Sequence, residues 1–110
     1  MINWTRVKTL RDEVGAEDFD DIVDIFIDEV SEMVDRLRKA PKIQNLGEDL
    51  HALKGSALNL GFTEFSALCQ TGETLAAEGK ANEIDLPPIL SCFDNSKDAF
   101  FEGLKNPAHI

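Results

Sequence analysis

Apolar residues recur along this chain at intervals of three and four, the spacing that lines one face of an α-helix, and no stretch shows the strict alternation of a strand. The cleanest run is Phe19, Ile22, Val23, Phe26, Val30, Met33, Val34 and Leu37, which predicts a helix over residues 16–39. A shorter edge of Trp4, Val7, Leu10 or Arg11, and Val14 predicts a first helix, capped by Asn3 and stopped by Gly15. After the break at Pro41, a third helix starts between residues 43 and 48 and ends at Gly61. Its narrow stripe is Leu46, Leu50, Leu53, Ala57 and Leu60. Thr63 is placed to cap a fourth helix over 64–78, with Phe65, Leu68, Cys69, Gly72, Leu75 and Ala76 inward and Gly72 marking a close approach to a neighbour. A loop at 79–82 follows. Asp85 then caps a fifth helix with Pro87 and Pro88 in its first turn, where a missing N–H costs little. Leu86, Ile89, Leu90, Phe93, Phe100 and Leu104 give that helix its apolar face, and Asn106 and Pro107 close it. Short connections between successive helices predict an all-α fold: an antiparallel up-down four-helix bundle, with the short N-terminal helix as a lid over one end.

Composition narrows the picture. The 110 residues predict one domain spanning 1–110, with a single core and no room for a separate cofactor domain. No apolar run approaches the roughly 18 residues of a membrane span. The N-terminus shows no basic region followed by an apolar stretch, so no signal peptide is expected, and the opening methionine points to a free-standing chain. A net charge of −10 argues against nucleic acid and anionic membrane as partners, since both need neutralising cations. Cys69 and Cys92 fall on apolar helix faces and are expected as buried free thiols of a reducing cytoplasm. Glu17, Asp18, Asp20, Asp21 and Asp24 crowd the start of the second helix, where the helix dipole favours negative charge. They lack the spacing and turn glycine of a calcium loop, and no metal site is expected from them.

The chemistry gathers on the third helix. At about 100° per residue, His51 lies about 130° from the centre of the leucine stripe, so its ring points at water. Side chains on a helix lean over the turn before their own. The residue that would lean over the imidazole is Gly55, which has no side chain. A mid-helix glycine costs about 1 kcal/mol against alanine, and clear access to the ring supplies a reason for it. Lys54 can reach back toward whatever the imidazole carries. An exposed ring, a cleared approach and an adjacent cation suit a histidine that takes a phosphoryl group from one large partner and gives it to another. Leu58, two turns on, lies on the same side of the helix, and Ile25 sits off the apolar stripe of the second helix. Ser56 faces away from His51 toward helix packing, Asn59 belongs to the surface, and His109 lies in a polar tail beside Pro107.

His51, Leu53, Lys54, Gly55, Ser56 and Gly61 match the His-x-Leu-Lys-Gly-Ser-x-x-x-x-Gly pattern of histidine-containing phosphotransfer (HPt) domains, which the chain resembles over nearly its whole length. The resemblance implies a relay module of multistep phosphorelays that carries phosphate without being an enzyme. It implies His51 as phosphoacceptor, response-regulator receiver domains and a sensor histidine kinase as partners, and a cytoplasmic setting. It also implies no cofactor of the chain's own, with magnesium and the catalytic groups on the partner receiver. Many HPt domains carry glutamine or glutamate 22 residues after the histidine, hydrogen-bonded to the ring; Glu73 stands there. Carried over, that contact fixes the tautomer and leaves Nε2 as the nucleophile. Receivers dock partly on the helix before the histidine helix, which makes Ile25 as well as Leu58 a docking candidate.

Two other functions are weighed against this one. A phosphate-independent helical adaptor, binding a signalling partner through the same face, would not need His51, Lys54 and Gly55 together. A hydrolase or metalloenzyme would need a base–nucleophile pair or three converging ligands, which one histidine and one glutamate do not supply.

Overall fold

A computed structural model describes residues 2–106. Its helices are α1 (Trp4–Val14), α2 (Phe19–Lys39), α3 (Leu46–Leu60), α4 (Thr63–Ala77) and α5 (Leu86–Leu104), with 3-10 turns at Ile43–Asn45 and Ala81–Glu83. The tightest seam joins α3 to α4. Gly61 and Phe62 alone connect them, so the chain must double back. Gly47 faces Ala76, Leu50 faces Gly72 and Lys54 meets Gln70, numbers that fall along one helix as they rise along the other. The two helices are therefore antiparallel. A Cβ on Gly72 would lie 2.5 Å from Leu50 Cδ1, so the close approach read from the sequence is present.

The remaining helices close around that pair. α5 returns antiparallel to α4, with Phe65 against Phe93 (5.3 Å between ring centroids) near one end and Gly72 beside Ile89 further along. Arg38 near the end of α2 pairs with Asp94 and donates to the Leu90 carbonyl at 3.4 Å, tying α2 to the start of α5. Phe62, Phe65, Phe93, Phe100, Leu50, Leu53 and Val34 fill one core. Each such side chain contributes about 1.5–3 kcal/mol on burial.

α1 is fastened to the α3–α4 turn. The Asn3 N–H donates to the Gly61 carbonyl at 2.7 Å, and Ile2 forms an isolated antiparallel bridge with Phe62. Gly61 is required twice over: its φ is +76°, and a Cβ there would sit 2.6 Å from the Asn3 carbonyl oxygen. Trp4 then stacks on Phe100, with 5.9 Å between centroids and 5° between planes. Asn3 caps α1 as expected, its side chain accepting from the Arg6 N–H at 3.2 Å.

Some expectations need correction. α2 starts at Phe19, not at residue 16: after Gly15 (φ +87°) the Asp18 N–H turns back to the Gly15 carbonyl, leaving Glu17 and Asp18 outside the helix. Thr63 is the first residue of α4, not its cap; Phe62 holds the cap position, its ring committed to the core. Asp85 occupies the cap position of α5, but its side chain makes no capping bond. Ile27, left out of the predicted stripe, is buried, whereas Ile22, Phe26 and Met33 are half-buried along one flank. Ser66 and Ser96 are also interior. α5 ends at Leu104 with the Asn106 N–H on the Gly103 carbonyl, while Pro107 and His109 lie outside the described residues.

Candidate functional site

α3 is amphipathic in the plain sense: Leu46, Leu50, Leu53, Ala57 and Leu60 are buried, while Glu48, His51, Ala52, Gly55, Leu58 and Asn59 face water. The His51 side chain is 69% exposed. Around its ring the antiparallel register of α4 matters more than α3 itself. Where Gly72 lets α4 press against Leu50, the next residue, Glu73, comes level with His51, and its Oε1 lies 2.8 Å from the imidazole Nδ1. The other carboxylate oxygen, Oε2, is shut off from solvent and faces the Lys54 ammonium in an ion pair of 2.8 Å.

These two neighbours hold the Glu73 carboxyl below the usual carboxylate range, Lys54 contributing most and His51 next, against a smaller opposing effect of burial. An ionised carboxylate can only accept a hydrogen bond. Nδ1 must therefore carry the proton, and Nε2 is the nitrogen with a free lone pair. Among the described residues no protein atom bonds Nε2.

Gly55 lies one turn beyond His51 on the outermost line of α3, and a Cβ built there would meet nothing within 4 Å. Nothing inside the molecule asks for a glycine at this position. Lys54 differs from the expectation of a cation free to reach the ring's cargo: its ammonium is engaged by Glu73 and also donates to Gln70 Oε1 at 2.9 Å. Gln70 Nε2 in turn donates to Thr74 Oγ1 at 3.1 Å. Ser56 is half-buried, and Asn59 is exposed with its side-chain oxygen accepting from Arg6 at 3.3 Å.

Leu58 and Ile25 are both open to solvent, 53% and 55% exposed. Met33 and Arg36 near the end of α2 line the same cleft as Asn45 and Asp49 at the start of α3. A second apolar surface was not foreseen. Ile43, 56% exposed, borders a groove floored by Gly47, Ala76 and Ala77 beside His51. Gln70 and Thr74 were missed as well, although a signal existed. Gln70 lies three residues before Glu73 on the same helix face, and Thr74 lies four after Gln70, so setting Glu73 against His51 already sets Gln70 against Lys54.

Other chemistry is sparse. Cys69 and Cys92 are free and buried, and burial pushes the Cys69 thiol up to about 12, far from a reactive thiolate. Among the described residues no group of three or more His, Cys, Asp and Glu side chains could hold a metal ion, and no helix is long and apolar enough to cross a membrane.

Comparison with curated proteins and with solved structures returned no match. The sequence model of the Hpt domain family matches residues 21–100, from the first turn of α2 to the buried Phe100 of α5, and so takes in His51, Lys54, Gly55, Gln70 and Glu73. With most of its length under that match, the chain belongs to the Hpt domain family, whose members carry phosphoryl groups in two-component phosphorelays.

Proposed function

We propose that this protein is a cytoplasmic phosphorelay intermediate in which His51 accepts a phosphoryl group at Nε2, from a receiver's aspartyl phosphate or directly from a sensor histidine kinase, and passes it to the aspartate of another receiver. The observation that carries this is the exposed imidazole with Nδ1 held on ionised Glu73 and Nε2 turned outward. In the accepting step the Nε2 lone pair forms the N–P bond as the aspartyl O–P bond breaks, and that electron pair leaves with the aspartate carboxylate. The ring gains positive charge while keeping its Nδ1 proton, and the Glu73 carboxylate stabilises that charge where it forms. The return step reverses each change.

Phosphoryl transfer depends chiefly on positioning and charge stabilisation. A receiver can supply both, together with its magnesium ion, so the chain itself needs only an accessible, oriented nucleophile and a surface to dock on. Leu58 and Ile25 provide exposed apolar docking contacts on α3 and α2, and the bare backbone at Gly55 lets a partner approach closely.

The test is His51→Gln. Incubated with a phosphorylated receiver, the variant should take up no label while keeping the wild-type helical spectrum and melting temperature, since the side chain lies outside the core. Label retained at the wild-type level would show that the acceptor is elsewhere.

A further inference from the structure

One chain of contacts links the outer face of α3 to α4: His51 to Glu73, Glu73 to Lys54, Lys54 to Gln70, and Gln70 to Thr74. Chemistry sets its direction. A lysine ammonium only donates hydrogen bonds, so Gln70 must turn its oxygen to Lys54. The amide nitrogen is then left to donate, and the Thr74 hydroxyl one turn along α4 receives it. Lys54 has a flexible four-carbon stem, yet its ammonium has acceptors on both sides, Glu73 Oε2 at 2.8 Å and Gln70 Oε1 at 2.9 Å. At most one of its three N–H groups remains for a phosphoryl oxygen.

We propose that Gln70 is a positioning residue for phosphoryl transfer: braced by Thr74, it holds the Lys54 ammonium against Glu73, so that the lysine serves first as counter-charge to the orienting carboxylate. This rests on His51 being the phosphoacceptor. Gln70 touches neither the imidazole nor anything bound to it. It acts through Lys54, and Lys54 through Glu73. A carboxylate anchored at Oε2 keeps Oε1 aimed at Nδ1, which keeps the proton on that nitrogen and Nε2 free to attack. Released from Gln70, the ammonium follows its stem into solvent, Glu73 gains rotational freedom, and the ring loses its fixed tautomer.

The experiment compares Gln70→Leu, Thr74→Val, Lys54→Met and the Gln70→Leu/Lys54→Met double variant. Two readouts are used: the initial rate of phosphoryl transfer from a phosphorylated receiver, and the ¹⁵N shifts of the neutral His51 ring. Gln70 and Thr74 are exposed, so these changes leave the core intact. Gln70→Leu should slow transfer about tenfold, the low end for one charge-assisted hydrogen bond, and Thr74→Val should slow it less. In Gln70→Leu the ring shifts should move from a single Nδ1–H tautomer toward a mixture. The double variant should be no slower than Lys54→Met alone, because Gln70 has nothing to hold once the ammonium is gone. A wild-type rate in Gln70→Leu overturns the proposal. So does a slowed rate with unmoved ring shifts, which is the behaviour of a mere docking contact, or a full further slowing on top of Lys54→Met. His51→Gln separates the two levels: if it abolishes labelling while Gln70→Leu is silent, only the role of Gln70 fails.

Discussion

Of the three glycines in the helices that carry this site, Gly72 and Gly55 lie in mid-helix, and their surroundings differ completely. Gly72 of α4 lies where a Cβ would fall 2.5 Å from Leu50 Cδ1, with Ile84 and Ile89 also within 4 Å. Gly55 of α3 faces open space, with nothing within 4 Å of the same constructed atom. Both incur the helix penalty of about 1 kcal/mol relative to alanine. At Gly72 the return is internal: α4 comes close enough to α3 to put Glu73 on His51. At Gly55 no internal return exists, so the gain has to be sought outside the molecule, in a partner that needs bare backbone beside the imidazole. A glycine that packing explains and one that packing does not thus mark the two halves of the site, the half that orients the ring and the half that admits the partner.

The largest expected effect separates them by stability. Gly72→Leu must displace Leu50, which is fully buried and would lie 2.5 Å from the new Cβ. It should destabilise the fold by about 3 kcal/mol, the upper range for overpacking a core. Because the same seam sets the distance between Glu73 and His51, transfer should fall with it. Denaturant unfolding checks the first expectation; a variant as stable as wild type would mean that α3 and α4 are not in close contact.

Gly55 should show the reverse pattern. Gly55→Trp has room on the surface and should melt no lower than wild type, yet its ring would lean over the turn holding His51. Transfer from a phosphorylated receiver should slow about tenfold, the equivalent of roughly 1.4 kcal/mol of lost docking. Gly55→Ala should raise stability by up to about 1 kcal/mol while transferring at close to the wild-type rate. Were the tryptophan variant to transfer normally, the glycine would not be there for access.

How far the sequence reveals this architecture follows from which interactions are local. The three-and-four spacing located all five helices because burial is averaged over many positions of one face. It placed Ile27 wrongly because Phe26 and Ile27 are adjacent apolar residues, and period alone does not say which of them points inward. The start of α2 was overextended because acidic residues suit a helix start whether they stand inside or just before it. Exposure of His51, Leu58 and Ile25 was legible from helical angles alone. The Asn3 contact that demands Gly61 and the groove beside Ile43 were not, since each joins elements distant in sequence, and the Gln70 clamp on Lys54 follows only once Glu73 is set against His51. Only the antiparallel register of α3 and α4 brings such groups together, and period within one helix carries no register.

The smallest expected effect tests the orienting half by acid. Lys54 and then His51 hold the Glu73 carboxyl below its ordinary value of 4.5. A group whose folded-state value is depressed adds stability that is complete above the unfolded value and fades as pH falls through the folded one. The advantage of wild type over Glu73→Gln, which keeps an acceptor but removes the charge, should therefore shrink as the pH falls below about 4.5. Glu73 stands near the surface, where solvent screens such pairs, so the difference will be small and best read from matched denaturation midpoints along a pH series. If the two curves stay parallel through that acid range, Glu73 titrates alike in the folded and unfolded chains, and neither Lys54 nor His51 engages it in solution. The comparison drawn from the glycines would then lose its inner half, because a close α3–α4 seam that left Glu73 unpaired would give the imidazole no fixed tautomer.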